Sequence, residues 1–173
     1  ILKIRPEGGF FITPAPELES LRTHPRQAAA RELPADKAVT IDEVSGDCLE
    51  LALTLRPDSA KRVGLKVRCT PDGAEETAIW YDPVTQQLSI DVSKSTQRDD
   101  LAYGELVFTG YNLQKAADNK TSILTVSAPL ALTSGEPLQL RVFLDKAMLE
   151  VFANDRQCLT QVIYPKSSEA RQI

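Results

Sequence analysis

The chain has 173 residues, 24 acidic and 20 basic side chains for a formal charge of −4, and 42% hydrophobic residues. Its bases are scattered rather than gathered into a stripe, which argues against nucleic acid as a partner, and no apolar run approaches the roughly 20 residues of a membrane-crossing helix. Three cysteines and one histidine supply neither an even disulfide framework nor a zinc ligand set, so neither a metal nor another cofactor is expected.

A chain of this length is expected to form one compact unit that buries roughly 70% of its unfolded surface. It shows no signal-peptide layout, and Ile1 in place of an initiator Met suggests a start partway through a larger protein. The compartment stays open; a secreted or periplasmic parent is compatible with the sequence.

Residues 1–37 read as a linker arm. Leu2–Arg5 and Phe10–Ile12 flank Pro6-Glu7-Gly8-Gly9, the pattern of a short hairpin around a glycine turn. Residues 14–22 add one helical turn, because Pro16 suits a first helical position and Glu17 and Glu19 favour the positive end of the helix dipole. Residues 23–37, with His24-Pro25 and Leu33-Pro34, connect the arm to residues 38–173, which read as a β-sandwich.

There the period becomes two. Leu49, Leu51, Leu53 and Leu55 alternate with Glu50, Ala52 and Thr54, and Val63, Leu65, Val67 and Cys69 alternate with Arg62, Gly64, Lys66 and Arg68, so each strand has one apolar face. Pro71-Asp72-Gly73 and Asp82-Pro83 mark turns, with Ile79 and Tyr81 between them and Leu88, Ile90 and Val92 after them. Residues 94–128 are less regular; Leu106–Phe108 and Ile123–Val126 read as strands around an exposed loop at Asp118-Asn119-Lys120. Leu138, Leu140, Val142 and Leu144, then Leu149, Val151 and Ala153, then Cys158 to Tyr164 form an antiparallel meander turning at Asp145-Lys146 and Asn154-Asp155-Arg156. Short strands without intervening helices imply an all-β, two-sheet antiparallel sandwich. A charge at Leu51 or Leu140 is expected to be among the worst single changes.

Several of these segments carry a resemblance. A leucine-arginine strand ending at Asp145, the run Glu150-Val-Phe-Ala-Asn-Asp-Arg156, and a strand closing on Tyr164-Pro165 resemble the C-terminal β-sandwich of glycoside hydrolase family 32, the family of invertases, levanases, inulinases and related fructosyltransferases. Pro16–Arg22, Gly64–Cys69, Pro71–Gly73, Thr77–Asp82 and Leu88–Ser93 are similar to further segments in the family's order, so the likeness spans most of residues 1–165. It implies a concanavalin-like or jelly-roll sandwich beside an N-terminal five-bladed propeller. Retaining hydrolysis needs two carboxylates about 5 Å apart, and in the family these lie in propeller motifs, Asn-Asp-Pro-Asn-Gly, Arg-Asp-Pro and Glu-Cys, that this chain lacks. Asp82-Pro83 follows Tyr81 at a turn, and Arg98-Asp99-Asp100 has no proline. The resemblance therefore assigns no catalytic, carbohydrate-binding or metal-ligating residue here. It implies a non-catalytic accessory domain of a retaining β-fructosidase acting on sucrose or fructans, with the propeller of the same parent chain as partner. A homo-oligomer and a fructan ligand are compatible with it, and an independent lectin-like module is the alternative. Family sandwiches continue past the Tyr-Pro strand with a final strand pair, so truncation near Ile173 and an unpaired edge are expected.

The remaining candidates have ordinary readings. Adjacent Glu75 and Glu76 would face opposite sides of a strand or be solvated in a turn. His24 has no Ser or Cys partner at a useful spacing and fits a surface or domain contact. Glu150 is expected to pair with Arg141 or Lys146 across the sheet. Asn119-Lys120-Thr121 matches a glycosylation acceptor, relevant only in a eukaryotic secretory pathway. Trp80 faces away from Ile79 and Tyr81; with Tyr103 and Tyr111 it is weighed as a sugar-stacking ring, against packing on the propeller or a sheet edge. Cys48, Cys69 and Cys158 are read as small buried apolar residues.

Overall fold

A computed structural model describes residues 1–101, 103 and 124–173. Two short strands, β1 (Leu2–Ile4) and β2 (Phe10–Ile12), and a 3₁₀ turn (Pro16–Leu21) precede eight longer strands. These are β3 (Cys48–Leu55), β4 (Val63–Val67), β5 (Glu76–Asp82), β6 (Gln87–Lys94), β7 (Thr125–Pro129), β8 (Leu138–Asp145), β9 (Met148–Ala153) and β10 (Gln157–Val162). They form two antiparallel sheets, ordered β10-β9-β8-β3 and β4-β5-β6-β7, with the β1-β2 hairpin as a separate ribbon. The expected strand at Leu106–Phe108, with Tyr111 and Asn119–Thr121, lies outside the described residues.

The alternating leucines and valines decide which faces meet. Leu138, Leu140, Val142 and Leu144 of β8 and Leu149, Val151 and Ala153 of β9 are buried against Ile79, Tyr81, Leu88, Ile90 and Val92 of the other sheet. Such burial is the main favourable contribution to folding. The expectation for Leu51 needs correction. It is only half-buried, because among the described residues β3 pairs with β8 alone and lies at the sheet edge. Leu140, flanked on both sides, is 2% exposed.

Turn chemistry follows the sequence closely. Asn154 and Asp155 both have positive φ (48° and 53°), and the Arg156 N–H donates to the Ala153 carbonyl at 2.9 Å, the mirror-image turn that suits strand twist. Lys146, in the β8-β9 turn, has φ 55°.

Residues beyond β10 close one side of the sandwich. Gln172 exchanges backbone hydrogen bonds with Cys69 (3.0 and 3.1 Å), and the Arg171 and Ile173 carbonyls accept from Gly46 and Ile41 at 2.9 Å each. Ala170 and Ile173 are buried. The tail thus runs between the entry to edge strand β3 and the end of edge strand β4, covering backbone that would otherwise be open to association. Nearby, the buried Arg68 donates from Nη1 to the Lys146 carbonyl at 2.9 Å, joining β4 to the β8-β9 turn of the opposite sheet.

Candidate interaction surfaces

The structure distributes the acidic candidates to structural work. Glu75 is 1% exposed, so the expectation of a solvated turn or strand residue is corrected. Its Oε1 accepts the backbone N–H of Gln97 (2.6 Å) and of Lys166 (2.8 Å), and its Oε2 that of Ser167 (2.9 Å). One carboxylate thereby pins the loop after β6 and the C-terminal tail to the start of β5. The neighbouring Glu76 points outward, 2.7 Å from Lys66 Nζ and 3.8 Å from Lys94 Nζ.

Glu150 is a second correction. Arg141 and Lys146 both bind other carboxylates: Arg141 Nη2 lies 2.7 Å from Glu50 Oε1, and Lys146 Nζ lies 3.1 Å from Asp47 Oδ2. Glu50 and Glu150 both flank Phe143 across the sheet, so each is a diagonal neighbour of Arg141. Arg22 breaks the tie, because of these two acids it joins Glu50, through Nε at 2.8 Å and Nη2 at 2.9 Å. The Arg22 hydrogen bonds chiefly, and Arg141 after them, hold the Glu50 carboxyl below its ordinary value despite the opposing effect of burial.

This clamp is one end of a strap. At the other, the Ile12 N–H donates to the Asp155 carbonyl at 2.7 Å. Asp155 is in the β9-β10 turn and Glu50 on β3, so residues 13–22 cross the outer face of a sheet four strands wide, a span of about 14 Å at the usual strand spacing. Pro14 is buried and Leu18 half-buried along it. The hairpin held beside this strap is apolar and open: Leu2 is 62% exposed, Ile4 80% and Phe10 50%. Register places Leu2 opposite Ile12 and Ile4 opposite Phe10, so these four side chains share one face. Leu21, 72% exposed, adds to the apolar surface of the arm.

The aromatic candidates divide. Trp80 is half-buried on the outer face of its sheet, as the alternation with Ile79 and Tyr81 requires, and its cross-strand neighbour is Gly64. Tyr103 instead packs inside the fold's own network. Its ring stacks on Tyr164 at 6.3 Å, its hydroxyl lies 2.7 Å from Ser95 Oγ, and that hydroxyl accepts the Tyr164 N–H at 3.0 Å. His24 is exposed in the arm, with φ 51°. The cysteines are unpaired, and Cys48 is exposed. The buried apolar reading fails for Cys48, because it opens edge strand β3. Cys69 and Cys158 are half-buried, and burial pushes the Cys69 thiol up to about 11. Among the described residues no three His, Cys, Asp or Glu side chains converge as a metal site would require.

Missing from the sequence reading were the Glu75 latch and the Glu50 clamp. Glu50 carried a signal, an outward acid on a strand beside an outward arginine. Glu75 carried none, since its partners are backbone groups about 20 and 90 residues away.

Comparison with known proteins fits this geometry. The family model for glycosyl hydrolases family 32 C terminal matches residues 17–173. A levanase of Bacillus subtilis is 31% identical over 96% of this chain and 22% of its own, and a sucrose-6-phosphate hydrolase of Zymomonas mobilis is 28% identical over 92% and 26%. The chain therefore spans about a quarter or less of the length of these relatives. Among solved structures, fructan 1-exohydrolase IIa from Cichorium intybus superposes with a TM-score of 0.75 at 17% identity, over 99% of this chain and 36% of the other. Sucrose-6-phosphate hydrolase from Lactobacillus gasseri gives 0.67 at 21% identity, over 99% and 29%; at these identities the likeness speaks for the fold. With its two-sheet sandwich and the family model matched from the strap to the final residue, the chain belongs to glycosyl hydrolase family 32 as a C-terminal domain.

Proposed function

We propose that this chain is a non-catalytic accessory domain that braces the five-bladed catalytic propeller of a retaining β-fructosidase acting on sucrose or fructans. The observation that carries the reading is the arm. Its strap is fastened to the sandwich by Ile12 and Arg22, yet its hairpin presents Leu2, Ile4 and Phe10 to solvent. A contiguous apolar face on an anchored ribbon is what a partner surface requires. Its partner is the module that precedes it in the longer relatives. The acids support the same reading, since Glu50, Glu75 and Glu76 are all engaged by cations or backbone N–H groups and none is paired with a second carboxylate for acid/base work.

The test uses the parent protein. Replacing Ile4 and Phe10 with serine is expected to leave the sandwich folded, lower the melting temperature of the propeller and expose the interdomain joint to protease. An unchanged propeller transition would overturn the brace. The 173-residue chain alone is expected to release no fructose from sucrose, levan or inulin. Turnover that co-purifies with it and survives repeated chromatography would overturn the non-catalytic assignment.

A further inference from the structure

The outer face of β10-β9-β8-β3 carries a half-open groove of about 350 Å³. Cross-strand register lines up Ala52, Arg141 and Phe152 along its floor, with the small Ala52 at one side of Arg141 and the phenyl ring at the other. Thr54, Gln139 and Asp155 stand at its polar end. All three are exposed, and none of their side chains makes a hydrogen bond among the described residues. Arg141 is already bound to Glu50 at 2.7 Å, so the groove offers one uncompensated carboxylate and no free cation.

We infer that this groove is a carbohydrate subsite for a neutral sugar chain. An aromatic wall beside unspent hydroxyl, amide and carboxylate groups suits a ligand with both C–H faces and many hydroxyls. The charge selects further, because Asp155 repels a phosphorylated sugar while accepting hydroxyl donors. Naming the sugar as fructan rests on the proposed function, and the groove would then hold units of the polymer remote from the bond being cleaved.

The test is an amide chemical-shift titration of the 173-residue chain with levan-type and inulin-type fructo-oligosaccharides, with cello-oligosaccharide as control. Saturable shifts at Thr54, Gln139 and Asp155 are expected. They should vanish in Ala52→Phe, which fills the groove from an exposed position and whose fold is verified by unchanged amides elsewhere. Gln139→Ala should weaken binding by up to about tenfold, the loss of one hydrogen bond. No shift at millimolar oligosaccharide, shifts that persist in Ala52→Phe, or shifts centred on Trp80 would each overturn the subsite. Equal binding of cello-oligosaccharide would overturn its assignment to fructan. Each of these failures leaves the brace intact, because that is read separately from the propeller transition of the parent.

Discussion

The sandwich and the arm treat apolar side chains in opposite ways. Val142, Val151, Leu88 and Ile90 are 0% exposed between the sheets, whereas Ile4 and Leu21 of the arm are 80% and 72% exposed. Both regions obey the same strand alternation. The sandwich has a second layer to cover its apolar faces, and the two-stranded hairpin has none, so by itself the hairpin contributes little stability. Stability therefore resides in the sandwich, while the arm holds its apolar side chains in solvent. The family match, residues 17–173, takes in the whole sandwich and begins after the hairpin.

The sharpest challenge to this division is a charge in the sandwich core. Leu140→Asp is expected to cost more than about 4 kcal/mol, enough to abolish a cooperative urea transition. Leu51→Asp should be clearly milder because Leu51 is only half-buried at the edge. Equal damage from the two would break the edge-strand argument. Next is Glu75→Ala, which strands three backbone N–H groups that the carboxylate now accepts. About 3 kcal/mol is expected from denaturant unfolding, with residues 166–173 becoming the first site of proteolysis. An unaltered tail would show that Glu75 is not the latch.

Gly64→Ala probes the strand pair beneath Trp80. A Cβ there would collide with the Ile79 carbonyl oxygen and press the Trp80 ring, so β4 must shift from β5, at a cost of about 1–3 kcal/mol. Acid then separates strap from sandwich. The folded-state pKa of Glu50 is depressed below its ordinary 4.5, so the clamp's contribution is complete above that value and is lost as pH falls through the lower folded value. Release of the arm, followed by the amide signals of residues 13–22, is expected below pH 4.5 and not above it. In Glu50→Gln the strap should already be loose at neutral pH, without an acid step. The smallest effect belongs to the hairpin face: Ile4→Ser should alter the chain's own stability by no more than about 0.5 kcal/mol. A larger loss would place the arm inside the stability core and erase the contrast.

Much of this architecture could be read from residues alone. The alternating leucines of residues 138–144 and 149–153 mapped directly onto buried positions, because a pleated strand leaves its side chains only two faces. Turns at Lys146 and at Asn154-Asp155 were legible for the same local reason, since few residues accept positive φ. Leu51 misled, because alternation reports a face and not whether the strand lies at an edge. Cys48 misled in the same way. The choice between Glu50 and Glu150 was hidden, as both are diagonal to Arg141 and only Arg22, from the arm, distinguishes them.

Sequence by itself determined the strands, their inward faces, the tight turns and the kinship to one enzyme family, all of which depend on short-range periodicity or on ordered motifs. Tertiary structure decided what joins distant parts. It brought Glu75 to the backbone of the tail, Arg22 to Glu50, and Ala52, Gln139 and Phe152 to one groove. Those contacts depend on which strands become neighbours and which remain edges, and side-chain periodicity carries no information about that.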